Sequence, residues 1–483
     1  MIAAPSRDRR IQEWITAVYR IAYTVAATVI GGHLFITGIL KLIQFPWTSA
    51  SRWDCGVDWS AAKLYFAQIS PYSEEGLRQI GLEGYGFGHP PTTSFWFLPL
   101  ANLPWPSAAH FICVVAEAAL VALVAITVVE LRIWAPVATT LLVAGLVLQT
   151  TWMDSHIAVV QISSVIACMY VVSWYFFRRG RDYWAGIPLG IACTIKLFPG
   201  VVVAYLLMMR RWRSVAAALT TYFIVFAVMT RRFGLSSWTA FFKQQGPISH
   251  FWIDYPRNAS LYGIVLRLFR PSCERPNNDP FTGVRDFAKL PELPPMKGSG
   301  LAFVMALLIV AACGWLVLRT SKTRATLDLG FALFSVASAF VNPWIWEHYN
   351  VILISPMLVA FVYSWRLWSE RYREWAAGAA NLKTLIWAGV GFVSAALVIA
   401  AVMGALDVDM TNMQVIWEAK AANLPVSRAD HRKMHLYEVV NWAPWPLVMG
   451  VLMSFLALFP RTPERIVSFP STALFRLRKQ KIS

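Results

Sequence analysis

Asp58 stands in Cys55-Gly56-Val57-Asp58-Trp59-Ser60, shortly after the first long apolar run and ahead of an aromatic-rich stretch. A carboxylate held near a hydroxyl can take its proton as that oxygen forms a new bond, which is the work of a general base. The same residue type also caps helices, so two readings of Asp58 stand side by side. Asp54, four residues earlier, offers a second acid as base or cation ligand, or as a plain solvated loop acid.

Four further constellations carry chemical potential. Gly88-His89-Pro90-Pro91-Thr92-Thr93 fixes the backbone with two prolines, and His89 could hold a phosphate or a sugar hydroxyl, or serve only as a turn histidine. Lys196 opens Lys196-Leu197-Phe198-Pro199-Gly200, between two apolar segments. A charge at that depth usually faces a cavity or a partner, and a broken helix exposes amides that attract anions. A lipid phosphate fits, and snorkelling to the interface is the alternative. Glu347-His348, with Trp344 and Trp346 beside it, could grip a phosphate or sugar, or form an aromatic belt with a satisfied polar pair. Arg257-Asn258-Ala259-Ser260 formally matches a glycosylation sequon and reads as a polar outer loop re-entering the fold, with Arg257 and Asn258 as binding candidates. Gln161 is placed inside the helix expected over 157–177 and joins the binding candidates, while Glu117, inside the helix expected over 107–130, reads as structural; each could hydrogen-bond across a bundle.

The elements that must position these residues are membrane helices. The 483 residues are 57% hydrophobic and 14% charged, against about 25% charged in soluble domains. Apolar runs of about 20 residues, each able to cross a hydrocarbon core, recur from end to end. The expected spans are 21–44, 107–130, 133–151, 157–177, two short helices over 183–210 broken at Lys196–Gly200, then 214–230, 300–318, a pair flanking Asn342–Asn350, 384–405 and 442–459. Trp152-Met153-Asp154-Ser155-His156 reads as a tight outer turn. About twelve crossings of one integral domain result, with long outer loops at 45–106, 231–299 and 406–440 and a basic tail at 461–483. Ala61–Ile69 has roughly helical apolar spacing and reads as a helix lying on the membrane surface. The first run lacks a small-residue cleavage site and is expected to stay as an uncleaved helix.

A net charge of +17 raises nucleic acid as a partner, but its distribution argues against it. Arg178-Arg179-Gly180-Arg181, Arg210-Arg211-Trp212-Arg213, Arg319–Arg324, Arg366–Arg373 and the C-terminal tail mark the ends of alternate runs. That is the positive-inside pattern. It puts both termini in the cytoplasm and Asp58, His89 and His348 outside it. Cys113, Cys168, Cys193 and Cys313 lie in apolar segments and read as small core residues, while Cys55 and Cys273 fall in outer loops. No Cys/His spacing suggests a metal site, and no P-loop or dinucleotide turn is present, so neither a cofactor nor a nucleotide donor is expected.

Asp58 followed by Pro71-Tyr72, His89-Pro90-Pro91 with Leu98-Pro99-Leu100, Gln161, Ile195-Lys196-Leu197-Phe198-Pro199 ahead of Arg210-Arg211-Trp212, Asn258-Ala259-Ser260, and Asn342-Pro343 through Trp346-Glu347-His348 occur in that order. The ordered set resembles glycosyltransferase family 87, also known as DUF2029. The resemblance implies an all-α polytopic fold of the GT-C type and a polyprenyl-phosphate-linked sugar, mannose in the best known members, as donor. It implies inversion at the anomeric carbon, an acid of the first outer loop as catalytic residue, and a lipid or glycan acceptor met outside the cytoplasm of a bacterial membrane. In this sequence that acid is Asp58. Three features depart from the family: a Gly usually precedes the Gln, and Val160 stands here; the interval from Asp58 to Pro71-Tyr72 is short; and roughly the last 120 residues carry none of its motifs.

The expected function is therefore a membrane glycosyltransferase with Asp58 as base and Lys196, His348 and Arg257 toward the donor phosphate. Membrane lipids are its surroundings, and nucleic acid is not a partner. A transporter or flippase, or an assembly protein, for lipid-linked envelope intermediates is the alternative.

Overall fold

The computed structural model describes residues 7–45, 54–83, 86–252, 258, 260–269, 291, 293–320, 322–378 and single positions from 382 to 393. The expected spans 384–405 (but for those single positions) and 442–459, the outer loop 406–440, the tail 461–483, Arg257 and Cys273 lie outside the described residues. No strand occurs among the described residues. The chain is an all-α polytopic membrane protein. Five described helices are long and apolar enough to cross a bilayer: Glu13–Gln44, Trp105–Glu130, Trp212–Phe233, Lys297–Arg319 and His348–Ala376. A sixth crossing arises if Pro136–Leu148 and Trp152–Ala158, bent by 74°, act as one broken span.

In chain order, α1 is Arg7–Gln44, α2 Cys55–Ala67, α3 Glu74–Ile80, α4 Trp105–Glu130, α5 Pro136–Leu148, α6 Thr151–Ala158 and α7 Ser163–Arg178. Then come α8 Asp182–Ile195, α9 Gly200–Met208, α10 Trp212–Phe233, α11 Leu235–Trp252, α12 Leu261–Phe269, α13 Pro295–Arg319, α14 Arg324–Phe340 and α15 Ile354–Ala376. Short 3₁₀ helices cover Thr93–Leu100 and Glu347–Leu353. Side chains of α4, α7, α8, α9, α14 and α15 share one continuous core.

Several expectations change. The helix of the first loop starts at Cys55 and is not a surface helix: Trp59, Ala61, Ala62 and Leu64 are buried. It has apolar residues on more than one side, and Trp59 docks it inward by donating its indole N–H to the Leu100 carbonyl at 3.0 Å and lying 5.4 Å from the Trp105 ring. The expected turn Trp152–His156 is helical, as α6. Gln161 consequently lies in the link between α6 and α7 rather than inside a helix. The stretch 231–299 read as loop because of its prolines and charges, yet α11, α12 and the first turn of α13 occupy much of it. Gly234, at φ 80°, makes the sharp corner between α10 and α11 that only glycine adopts freely.

The break at Lys196 is where the sequence placed it. α8 ends at Ile195 because Pro199, four residues on, has no N–H to bond the Ile195 carbonyl and its ring would crowd it, and Lys196 is extended at φ −142°, ψ 148°. Small residues hold α8 in place: a Cβ on Gly186 would meet the Ser214 carbonyl oxygen at 2.0 Å, and one on Gly190 the Ala218 oxygen at 2.5 Å. Close backbone contact of this kind is how membrane helices pack without a hydrophobic drive between them.

One end of the bundle gathers arginines. Arg178 pairs with Glu130 at 3.1 Å and Asp328 at 3.3 Å, Arg179 with Glu130 at 2.7 Å, and Arg211 with Asp182 at 3.2 Å. α8 starts beside this cluster and reaches Lys196 after 14 residues, a rise of about 21 Å. Lys196 is therefore at the opposite end. Glu117, midway along α4, is buried, and neither carboxyl oxygen has a hydrogen-bond partner among the described residues. A buried polar group without a partner is destabilising by about 1–3 kcal/mol. Glu117→Leu should accordingly raise the thermal midpoint of the detergent-solubilised protein by a few degrees and leave turnover unchanged.

Candidate functional site

Asp58 lies in the first turn of α2, inside the helix. It is not the cap. Asp54 holds that position, at φ 53°, with no capping bond from its side chain; its carbonyl accepts from the Val57 and Asp58 amides at 2.9 and 3.3 Å. Early in a helix a carboxylate also meets the positive end of the macrodipole. The other end of α2 is anchored by Arg232 of α10, which donates to the Tyr65 and Phe66 carbonyls at 2.6 and 3.1 Å.

The Asp58 carboxylate is 1% exposed and faces His89, whose side chain is 18% exposed. His89 Nδ1 sits 2.8 Å from both carboxylate oxygens. The loop bearing His89 is braced from three directions. The Tyr72 hydroxyl donates to the His89 carbonyl. Gln244 of α11 accepts from the Phe87 amide and donates to the Tyr72 carbonyl, both at 3.1 Å. Downstream, Thr93 donates to the Ile195 carbonyl at 2.7 Å and Trp96 to the Thr194 hydroxyl at 2.8 Å. These last two contacts tie the loop to the end of α8 and satisfy a carbonyl the helix leaves open.

That junction delivers Lys196. Its Nζ lies 2.6 Å from His89 Nε2 and also hydrogen-bonds Tyr349. Asp54 and Cys55 lie within electrostatic reach of it. Residues from α2, the 86–92 loop, the α8–α9 break and the Glu347–Leu353 turn thus meet in one cluster. Burial, then the Asp58 and Asp54 charges, push the Cys55 thiol well above its ordinary range. Burial and Asp58 do the same to the Tyr72 phenol. Both remain neutral at physiological pH, and Cys55 is a buried free thiol.

His348 is buried beside this cluster, its ring 4.9 Å from that of Tyr349, and it feels both His156 of α6 and Lys196. Its Nε2 has no hydrogen-bond partner among the described residues. Glu347 opens the same turn, and its side chain lies outside what the structure describes. The turn is held by Asn258, which is fully buried. Asn258 donates to the Pro343 carbonyl at 2.8 Å and accepts from the Ser260 and Ile345 amides at 3.0 and 3.1 Å. This residue is a clip between two loops, which also places it beyond reach of a glycosylating enzyme. Asn258→Ala leaves the Ser260 and Ile345 amides without their acceptor, while the Pro343 carbonyl keeps the Ser260 hydroxyl at 2.8 Å, a loss of about 2–4 kcal/mol. The expected result is a lowered thermal midpoint together with reduced turnover, because the turn bearing His348 loosens; scanning fluorimetry and a transfer assay on the same preparation check it.

Gln161 is buried in the link between α6 and α7; among the described residues its side-chain oxygen accepts a long bond from Ser163, at 3.4 Å. Its neighbour Val160 has φ 54°, left-handed backbone that a β-branched residue rarely adopts. The Gln161 amide bonds back to the His156 carbonyl at 3.0 Å, closing α6 at the position where glycine usually stands. Strain of about 1–3 kcal/mol is offset by burial of the Val160 side chain, which is fully enclosed in the core and gains about 2 kcal/mol. Tyr349, His156 and Gln244 were not singled out from sequence as groups of this site. Gln244 was hidden by the loop-like reading of its segment; the other two show only once distant turns are brought together.

Residues 87–276 match the model of glycosyltransferase family 87. His89, Gln161, Lys196 and Asn258 fall inside that stretch, with Asp58 before it and His348 after it. The chain is 26% identical over 296 residues to a polyprenol-phosphate-mannose-dependent alpha-(1-2)-phosphatidylinositol mannoside mannosyltransferase of Mycobacterium tuberculosis, across 58% of this chain. The match spans 63% of that relative's length, just under two thirds. The apolar helices, the ordered motifs and these two matches agree in direction: over residues 87–276 the chain is similar to glycosyltransferase family 87.

Proposed function

We propose that this protein transfers a mannosyl residue from a polyprenyl-phosphate donor to a hydroxyl of a lipid or glycan acceptor, on the extracytoplasmic side of a bacterial plasma membrane. The observation that carries the reading is the meeting of Asp58, His89 and Lys196, with His348 alongside, at the bundle end remote from the arginine cluster. By the positive-inside rule the arginine end is cytoplasmic, which puts this cluster toward the other side, where a lipid-linked sugar serves and a cytoplasmic nucleotide sugar does not.

The reaction needs little beyond a base and an anion site. The acceptor O–H proton passes to the Asp58 carboxylate as the oxygen bonds to the anomeric carbon from the face opposite the phosphate. The carbon–oxygen bond to phosphate breaks, and polyprenyl phosphate leaves with the electron pair. The proton on Asp58 is then lost to water. A β-linked donor thereby gives an α-glycoside. The phosphate is a good leaving group, so no strong acid is required, and the buried His348 Nε2 is the group we assign to it.

Purified protein in lipid nanodiscs is offered labelled mannose either on polyprenyl phosphate or on a nucleoside diphosphate, with phosphatidylinositol mannosides or total membrane lipids as acceptors. Label should enter the glycolipid fraction from the lipid donor alone, in α linkage. Transfer from the nucleotide donor, or a β product, overturns the assignment.

A further inference from the structure

We propose that Lys196 and His89 act on Asp58 rather than on the donor: the three side chains form one carboxylate–imidazole–ammonium chain in which the lysine charge, delivered through the ring, balances the charge of the buried base and orients it. The proposal rests on the reading of Asp58 as the base.

The geometry admits one arrangement for a charged lysine. An ammonium group only donates, so the contact at 2.6 Å makes His89 Nε2 the acceptor. The ring proton then sits on Nδ1 and points at Asp58, 2.8 Å from each oxygen. Neutral histidine donates from one nitrogen and accepts at the other, so both contacts are satisfied without a further proton. Shifting the proton from Lys196 onto the ring leaves the net charge of the chain unchanged.

Asp58 needs such a partner. At 1% exposure it has lost nearly all contact with water, and a buried carboxylate persists only when paired and hydrogen-bonded. Among the described residues, the other titratable groups facing it do not help. Tyr72 is neutral, and Cys55 on its own helix is neutral. Around Lys196 stand Tyr349, Asp54, Cys55 and His348, of which Asp54 is a second carboxylate. Lys196 is thus the positive charge common to both acids. Its position is fixed too: Thr93 and Trp96 fasten the end of α8 to the loop that carries His89.

A phosphate ligand and a partner of the base predict different kinetics. Lys196→Met removes the charge at similar length. If the lysine serves Asp58, kcat at neutral pH falls by about 10- to 100-fold, and the lower limb of the kcat/KM profile moves up by about one pH unit or more. The donor KM stays within about threefold. His89→Asn keeps an amide N–H near the Nδ1 position and cuts the link to Lys196. It should move the limb by a similar amount, and the double variant should move it no further, as for groups acting as one unit. Lys196→Arg, which restores the charge, should return the limb toward its original position.

Lys196→Met with a donor KM raised tenfold or more and an unmoved pH profile overturns the proposal and makes Lys196 a phosphate ligand. If Lys196→Met does not yield monodisperse protein, His89→Asn decides alone: an unmoved limb overturns the proposal, a moved limb supports it. Asp58→Asn in the same assay tests the underlying reading separately. If that variant turns over like the parent, Asp58 is not the base, whatever the other profiles show.

Discussion

Asp58→Asn is expected to lower the transfer rate by about 10³-fold, the middle of the range for a lost general base, with the fold retained. Asparagine has the size of aspartate, and its side-chain oxygen still accepts from His89 Nδ1, so the contact at 2.8 Å survives in part. Lys196 keeps Tyr349 as a hydrogen-bond partner and Asp54 as a nearby acid. The thermal midpoint should therefore fall by only a few degrees. Alanine is the less informative change: it strips the acceptor from a partly buried imidazole N–H, a loss of about 1–3 kcal/mol, and mixes stability with chemistry. The measurement is single-turnover transfer from a labelled lipid donor, paired with thermal unfolding of the same sample. Wild-type turnover in the asparagine variant removes the base. A transporter of lipid-linked intermediates makes a different forecast, since it would move labelled lipid between leaflets without forming any new glycosidic bond.

The sequence marked the residues that meet in the candidate site more clearly than the scaffold that holds them. Asp58, His89 and Lys196 were legible because each breaks a local rule: an acid at the mouth of an apolar run, a histidine before two prolines, and a lysine between apolar segments. Polar residues in costly places leave a signal in one dimension. The Lys196–Gly200 break was equally visible, since Pro and Gly punctuate helices by their own stereochemistry. What sequence did not show is which side chains meet across more than a hundred positions. Tyr349 and His156 look like ordinary members of an aromatic belt and a turn until the 3₁₀ helix and α6 are seen side by side. Segment 231–299 was misread for a related reason: composition rich in proline and charge argues for loop, yet Leu235–Trp252 forms α11, and Gln244 on it clamps the 72–87 region. Asn258 shows the converse. Its polarity pointed to a ligand, but its hydrogen bonds go to backbone amides and a carbonyl.

His348→Ala is expected to raise the donor KM by about 10- to 100-fold, the equivalent of one hydrogen bond to a charged group at about 1.5–3 kcal/mol. The reasoning starts from an exception. Buried polar atoms nearly always have partners, yet His348 Nε2 has none among the described residues, while Tyr349 packs against its ring and Lys196 lies near. An anion beside that nitrogen would supply an acceptor for its N–H. A phosphate contact made equally in the bound donor and the transition state appears in KM alone. One that strengthens as the leaving oxygen gains charge appears in kcat as well. Running the alanine variant beside His348→Gln separates the two, because glutamine retains a donor near the ring nitrogen. Partial recovery of donor KM in the glutamine variant, with inhibition by free polyprenyl phosphate restored in step, marks a ground-state phosphate contact. A fall in kcat at unchanged donor KM, with inhibition by polyprenyl phosphate intact, places His348 on the bond-breaking step instead. Unchanged kinetics in the alanine variant would remove His348 from the anion site altogether and leave the leaving group to be met by residues other than those singled out here.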